Sequence, residues 1–199
     1  MPKTIEILRN ATRSRHAHLA SIPAMSRLFA ADYTVAEYRS HLGRVLGLIE
    51  PLERAASVAA NSGHPPDVPE RSRDLRTDLL AMGTTQGEID GIERCRQIPS
   101  FSAAGLRGYT YVILGSLLGG KIIVKQLRAV LGSKGSYSFY GGGQRQYEAQ
   151  WAFFCSDLEE TKEQDVETIC ATAVAVFDVY AAWLSEPLPQ RGNTNECLA

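Results

Sequence analysis

Four histidines (His16, His18, His41 and His64) and four cysteines (Cys95, Cys155, Cys170 and Cys197) are the side chains of this chain best suited to ligate a metal or attack a substrate. No two cysteines form a CxxC pair, which points to free thiols in a reducing compartment. Ile5, Leu8, Thr12, His16 and Leu19 recur at helical steps of three and four. At about 100° per residue, His16 continues that apolar face and His18 lies about 200° away from it. His16 is therefore expected to point into the domain, and His18 into solvent. The HxH spacing is not read as a zinc signal, because residues two apart do not share a helical face. His41 and His64 read as surface or loop residues. An inward histidine has two uses: a satisfied core side chain, or a neutral imidazole holding a metal through one ring nitrogen.

The second oddity is a lack of side chains. "GYTYVILGSLLGGKIIVKQLRAVLG" (residues 108–132) has helical periodicity, yet Gly115, Gly119 and Gly120 interrupt it. Each internal glycine costs roughly 0.5–1 kcal/mol relative to alanine. With Gly108 they read as one bare strip. Such a strip suits close helix packing or close approach of backbone to a flat ligand, and the adjacent pair Gly119–Gly120 also lets a helix bend. A planar macrocycle between this strip and an inward His16 would account for both oddities. The imidazole would ligate iron, and the bare helix would cover the opposite face of the ring.

Helices must position these groups. The first is expected to end before Pro23. Residues 34–60 open on a capping box, Thr34 with Glu37 three positions on, and Pro51 is expected to kink this helix without ending it. "NSGHPPDVP" reads as a loop, and "ERSRDLRTDLLAMG" as a short amphipathic helix closed by Gly83. The glycine helix is expected from about residue 101 to 132, and "SKGSYSFYGGG" after it as a loop. Two more helices follow, burying Trp151, Phe154 and Leu158, then Ile169, Ala173, Val176, Phe177 and Tyr180. The expectation is one all-α domain over residues 1–187 with a polar, frayed tail over 188–199.

Composition narrows the partners. With 199 residues, 44% hydrophobic, the chain can bury one sizeable core. A net charge of −1 with neither sign concentrated argues against nucleic acid. The longest apolar run, residues 112–118, is far too short to span a bilayer, and "MPKTIEILRN" lacks a signal-peptide core, so a cytoplasmic protein with no membrane partner is expected. "GSLLGG" lacks the G-x-G-x-x-G dinucleotide spacing, so no flavin or nicotinamide fingerprint is visible.

"LRNATRSRH" (residues 8–16) resembles the proximal segment of the haem oxygenases, and "YVILGSLLGG" (residues 111–120) resembles their distal glycine helix. The G-S-x-L-G-G form is most similar to the bacterial enzymes that accompany bacteriophytochromes. "LGLIEPLE", "DLLAMG" and "FYGGGQRQYEAQWAFF" resemble further segments of that group in the same order, so that the likeness covers roughly residues 5–185.

The resemblance implies a helical bundle with haem between the first helix and a kinked glycine helix. His16 would be the axial iron ligand, and Gly115, Gly119 and Gly120 the close-approach residues. Arg9 would pair with a haem propionate, with Arg145 and Lys121 as weaker candidates, and Tyr111 would line the pocket edge or serve as an ordinary core aromatic. Haem would be both substrate and cofactor, opened by O2 to biliverdin with release of iron and carbon monoxide. Electrons would come from outside, from reduced ferredoxin or a similar donor, and the product would go to a bacteriophytochrome. Gly115 and Gly119 would set where oxygen binds, and Ser116 with water would supply the proton. The chain departs from the pattern at Leu114 and Leu117, more apolar than the glutamate and threonine usual in that group. It departs again at Ala20, where the animal enzymes carry a glutamate four residues after the histidine. Two other classes stay open. One is a non-catalytic haem-binding protein in which Leu114 and Leu117 dry the distal side. The other is a thiamin- or quinone-type enzyme, for which Asp178 and Cys170 are isolated.

Overall fold

The computed structural model describes residues 3–61, 70–142 and 144–186, apart from the side chains of 144–146. His64, Cys197, most of the "NSGHPPDVP" segment, the tail and the boundary at residue 187 lie outside them.

Every regular element among the described residues is helical. They are α1 (Thr4–Ser21), α2 (Pro23–Ser26), α3 (Val35–Ala60), α4 (Ser72–Ala81), α5 (Gln86–Asp90), α6 (Gly105–Leu131), α7 (Ser138–Gly141), α8 (Gln144–Glu159) and α9 (Glu163–Ser185). Single 3-10 turns, Arg27–Phe29 and Gly132–Lys134, follow α2 and α6. The Thr34 hydroxyl accepts from the Glu37 amide at the start of α3, while the Glu37 carboxylate accepts from the Thr34 amide at 2.8 Å. Gly83, at φ +84°, allows the turn after α4 that a side chain would strain.

Pro51 does not end α3, and its neighbours show why. Proline has no N–H, so the carbonyl four residues earlier, that of Gly47, loses its helical donor. The Cys95 amide takes its place at 2.9 Å. That approach needs Gly47, because a Cβ there would run into the Glu93 carbonyl and the Trp183 ring. Trp183 of α9 also donates from Nε1 to the Arg44 carbonyl at 2.8 Å, tying the end of α9 to α3.

The core lies between α3, α6 and α9 and includes Leu42, Leu46, Ile49, Tyr109, Ile113, Leu114, Ile169 and Val176. α6 and α9 are long and apolar enough, by length and composition, to cross a bilayer. In this fold they pack on each other. A Cβ at Gly108 would meet the Ile169 carbonyl and the Ala173 amide, and one at Gly105 the Thr172 side chain. The α6 glycines keep ordinary helical backbone angles, since positive φ among the described residues occurs only at Gly83 and Gly132. What α6 gains from them is the missing Cβ.

The structure alters four expectations. α6 begins at Gly105, later than the expected residue 101, and runs as one helix through Gly115, Gly119 and Gly120. The segment read as a loop after Gly132 contains α7, whose first turn is held by the buried Asp78 carboxylate accepting from the Ser138 and Phe139 amides, both at 2.8 Å. The bare strip divides: Gly108 belongs to the α9 seam, and Gly120 sits against the Tyr140 carbonyl of α7. Gly115 and Gly119 alone keep the open side. Finally, Leu114 and Leu117 are buried in the core, so they do not dry the face that Gly115 and Gly119 present.

One substitution at two sites should therefore give opposite signs. Gly108→Ala is expected to cost about 2–3 kcal/mol through overpacking of the α9 seam. Gly119→Ala is expected to stabilise by up to about 1 kcal/mol through helix propensity. Urea unfolding of both variants checks the pair.

Candidate functional site

α1 and α6 meet at a polar contact. Thr12 of α1 is buried and its hydroxyl donates to the Leu8 carbonyl at 2.8 Å. The same oxygen lies 3.2 Å from the Tyr111 hydroxyl of α6. Farther along, the Gln126 amide of α6 donates to the Phe29 carbonyl, in the turn that follows α1 and α2. One turn beyond Thr12 stands His16. One and two turns beyond Tyr111 stand Gly115 and Gly119.

Around Gly119 the space is open: an added Cβ would meet no atom within 4 Å. At Gly115 it would meet only the Trp151 ring edge of α8, at 4.0 Å. Trp151 also lies beside Tyr111, with ring centroids 5.9 Å apart, so aromatic groups wall one side of the strip.

His16 is exposed, which corrects the expectation that it points into the domain. The apolar face of α1 buries Ile5, Leu8 and Thr12 and stops short of it. The imidazole instead rests against buried Phe177 of α9, centroids 5.8 Å apart and planes at 81°. Beside it, Arg15 pairs with Asp178 at 3.2 Å. His18 is exposed, as expected.

The buried histidine is the one read as surface. His41, on α3, is 7% exposed and lies 2.7 Å from the Tyr140 hydroxyl through Nε2. Burial lowers its pKa to about 4. The sequence signal was available, because His41 sits in register with Tyr38, Leu42 and Val45 on the buried face of α3.

The other candidates separate. Arg9 is exposed on α1 and close enough to Cys155 of α8 to oppose the upward push that burial gives that thiol. Ser116 is exposed, and its hydroxyl donates back to the Ile113 carbonyl at 2.7 Å. Lys121 is paired with Glu148 of α8 on the surface. Arg145 lies in α8, with its side chain outside the described residues. Among the described residues no three of His, Cys, Asp or Glu cluster to hold a metal ion.

A family model described as Heme oxygenase matches residues 3–186. The chain belongs to the haem oxygenase family. Two solved structures share its fold at a TM-score of 0.69: haem oxygenase-1 from the cyanobacterium Synechocystis in complex with haem, 18% identical over 92% of this chain and 91% of that one, and haem oxygenase from Leptospira interrogans, 20% identical over 92% and 99%. None of the curated proteins matches the chain. Sequence reasoning named His16 and the glycines as candidates but did not anticipate Phe177 against the imidazole or Thr12 at Tyr111. The spacing held both clues, since Thr12 precedes His16 by one turn and Phe177 lies on the buried face of α9.

His41 couples stability to pH. Its pKa falls from 6.5 to about 4 on folding, so the unfolded chain binds the proton more tightly. The stability is fully present above pH 6.5 and is lost as pH falls toward 4, by about 3 kcal/mol in all. Urea unfolding at pH 7, 5.5 and 4 is expected to show this slope in the native chain and a flatter one in His41→Leu.

Proposed function

We propose that this haem oxygenase family member binds haem between α1 and α6, with His16 as iron ligand, and opens the ring to biliverdin with release of iron and carbon monoxide. What supports the reading is an exposed, ring-backed imidazole on α1, a helix tied to α6 through Thr12 and Tyr111, together with Gly115 and Gly119 of α6, whose side-chain positions face open space. A flat ring needs that clearance, and a single neutral imidazole suits haem iron. The residues present therefore fit the group.

Bound haem would supply the redox-active iron at which O2 is activated. The chain's own residues hold and orient. Phe177 of α9 would back the His16 ring edge-on and limit its rotation once iron is held. Arg9 offers a guanidinium on the exposed side of α1 for a propionate. The absence of a side chain at Gly119 brings helix backbone to the opposite face. Ser116 Oγ donates to the Ile113 carbonyl and keeps a lone pair for a water, and it is the hydroxyl nearest to Gly119 in the α6 sequence. Tyr111, bound to Thr12, keeps the two helices together at the closed end. Electrons would come from an external donor such as reduced ferredoxin, in the cytoplasm, and the product would suit a bacteriophytochrome.

A haem titration followed by reduction with ascorbate or ferredoxin, monitored by absorbance, tests the whole reading. One-to-one binding with loss of the haem band on reduction in air supports it. Stable haem binding without that loss would leave a carrier, a reading already weakened by the burial of Leu114 and Leu117 away from the site.

Four variants sharpen the test. His16→Ala is expected to abolish the histidine-ligated spectrum while His18→Ala leaves it intact, and the reverse would disprove the assignment. Gly119→Leu is expected to fold and to exclude haem, because its side chain would enter the open space. Ser116→Ala is expected to slow single-turnover ring opening by roughly tenfold to a hundredfold, the low end for a proton-transfer group, with haem affinity unchanged.

A further inference from the structure

Tyr140 is the one residue of α7 that reaches in three directions. Its carbonyl lies where the side chain of Gly120 would be, and the next residue, Gly141, packs on the Val124 side chain, so the end of α7 rests on α6. Its hydroxyl lies 2.7 Å from His41 Nε2 on α3. The start of α7 is held separately by α4, through the Asp78 carboxylate and through Arg71, whose guanidinium donates to the Phe139 carbonyl. The His41–Tyr140 bond thus ties the far end of α7, the end lying on α6 beside Gly119, to α3.

We infer that the Tyr140–His41 hydrogen bond is a positioning device for the haem-facing side of α6, with His41 acting only through Tyr140; the inference rests on the function proposed above. The physical argument is one of constraint. Gly120 and Gly119 are adjacent, so the surface that α7 touches and the surface left open are about 100° apart on one turn. Displacement of the Tyr140 carbonyl lets that turn of α6 move, and with it the clearance at Gly119. Breaking the bond also orphans a buried imidazole nitrogen, which favours rearrangement of α7 over a silent loss.

Hydrogen–deuterium exchange on the ligand-free protein and haem titration, applied to the same variants, test this. Tyr140→Phe and His41→Leu are each expected to speed exchange of the amides over residues 116–124 and to weaken haem binding, both by roughly fivefold, the worth of one neutral hydrogen bond. Exchange in α1 and α9 is expected to stay unchanged. The double variant should be no worse than either single one, since both remove the same bond. His41→Gln keeps an amide donor for the phenol oxygen and should restore both readouts toward the native values. Unchanged haem affinity, exchange that rises uniformly through the chain, or failure of His41→Gln to restore either readout would overturn the inference. If the native chain takes up no haem, the proposed function falls, and the exchange arm alone then decides whether the pair positions α6.

Discussion

The seam between α6 and α9 is the constraint on which the rest of this structure depends. Gly105 and Gly108 let the two backbones approach closer than any side chain permits, with Gly108 against the Ile169 carbonyl and the Ala173 amide. A contact of that kind tolerates almost no rotation of either helix about its axis. Once α6 is seated, the face bearing Tyr111, Gly115 and Gly119 can only turn away from the seam, toward α1 and α8. α9 then backs α1 from the other side, with Phe177 beneath His16. Two helices that never share a tight interface are thus held at a set separation by the third helix that packs on both.

Polar groups buried in the core do the remaining positioning. Asp78 accepts from two α7 amides, and Arg71, almost wholly buried, reaches the Phe139 carbonyl, the Tyr147 hydroxyl and Asp74. Such groups are costly to bury unless they are satisfied, and when satisfied they specify one arrangement. A four-residue helix such as α7 has no stability of its own. It exists here because α4 caps its start and α3 and α6 receive its end. The Gly47 carbonyl at Pro51 follows the same rule, since the lost helical donor is replaced by the Cys95 amide and nothing is left unpaired.

Several elements could be read directly from local chemistry. The Thr34 box, the Gly83 turn and the apolar spacing of α1, α8 and α9 depend on neighbours three or four residues away, which any reader of the chain can see. The ordered motifs around His16 and Gly115–Gly120 also carried the family, because they are contiguous. Arg71 and Asp78 were legible in principle: Arg71 directly precedes α4, four residues before buried Leu75, and Asp78 follows Leu75 by three, places where charge signals a buried partner.

What the chain alone determined, then, was an all-α fold, the boundaries of the long helices to within a few residues, and the residue types of the candidate site. The tertiary structure decided which glycine does what. Gly108, Gly115, Gly119 and Gly120 are chemically identical, and only the positions of α9, α8 and α7 divide them into a packing seam, an open face and a seat for Tyr140. It also decided the histidines, burying His41 and leaving His16 exposed, because a helical wheel gives direction around an axis but not where the neighbouring helices end. Burial is a property of the partners, and those are distant in sequence.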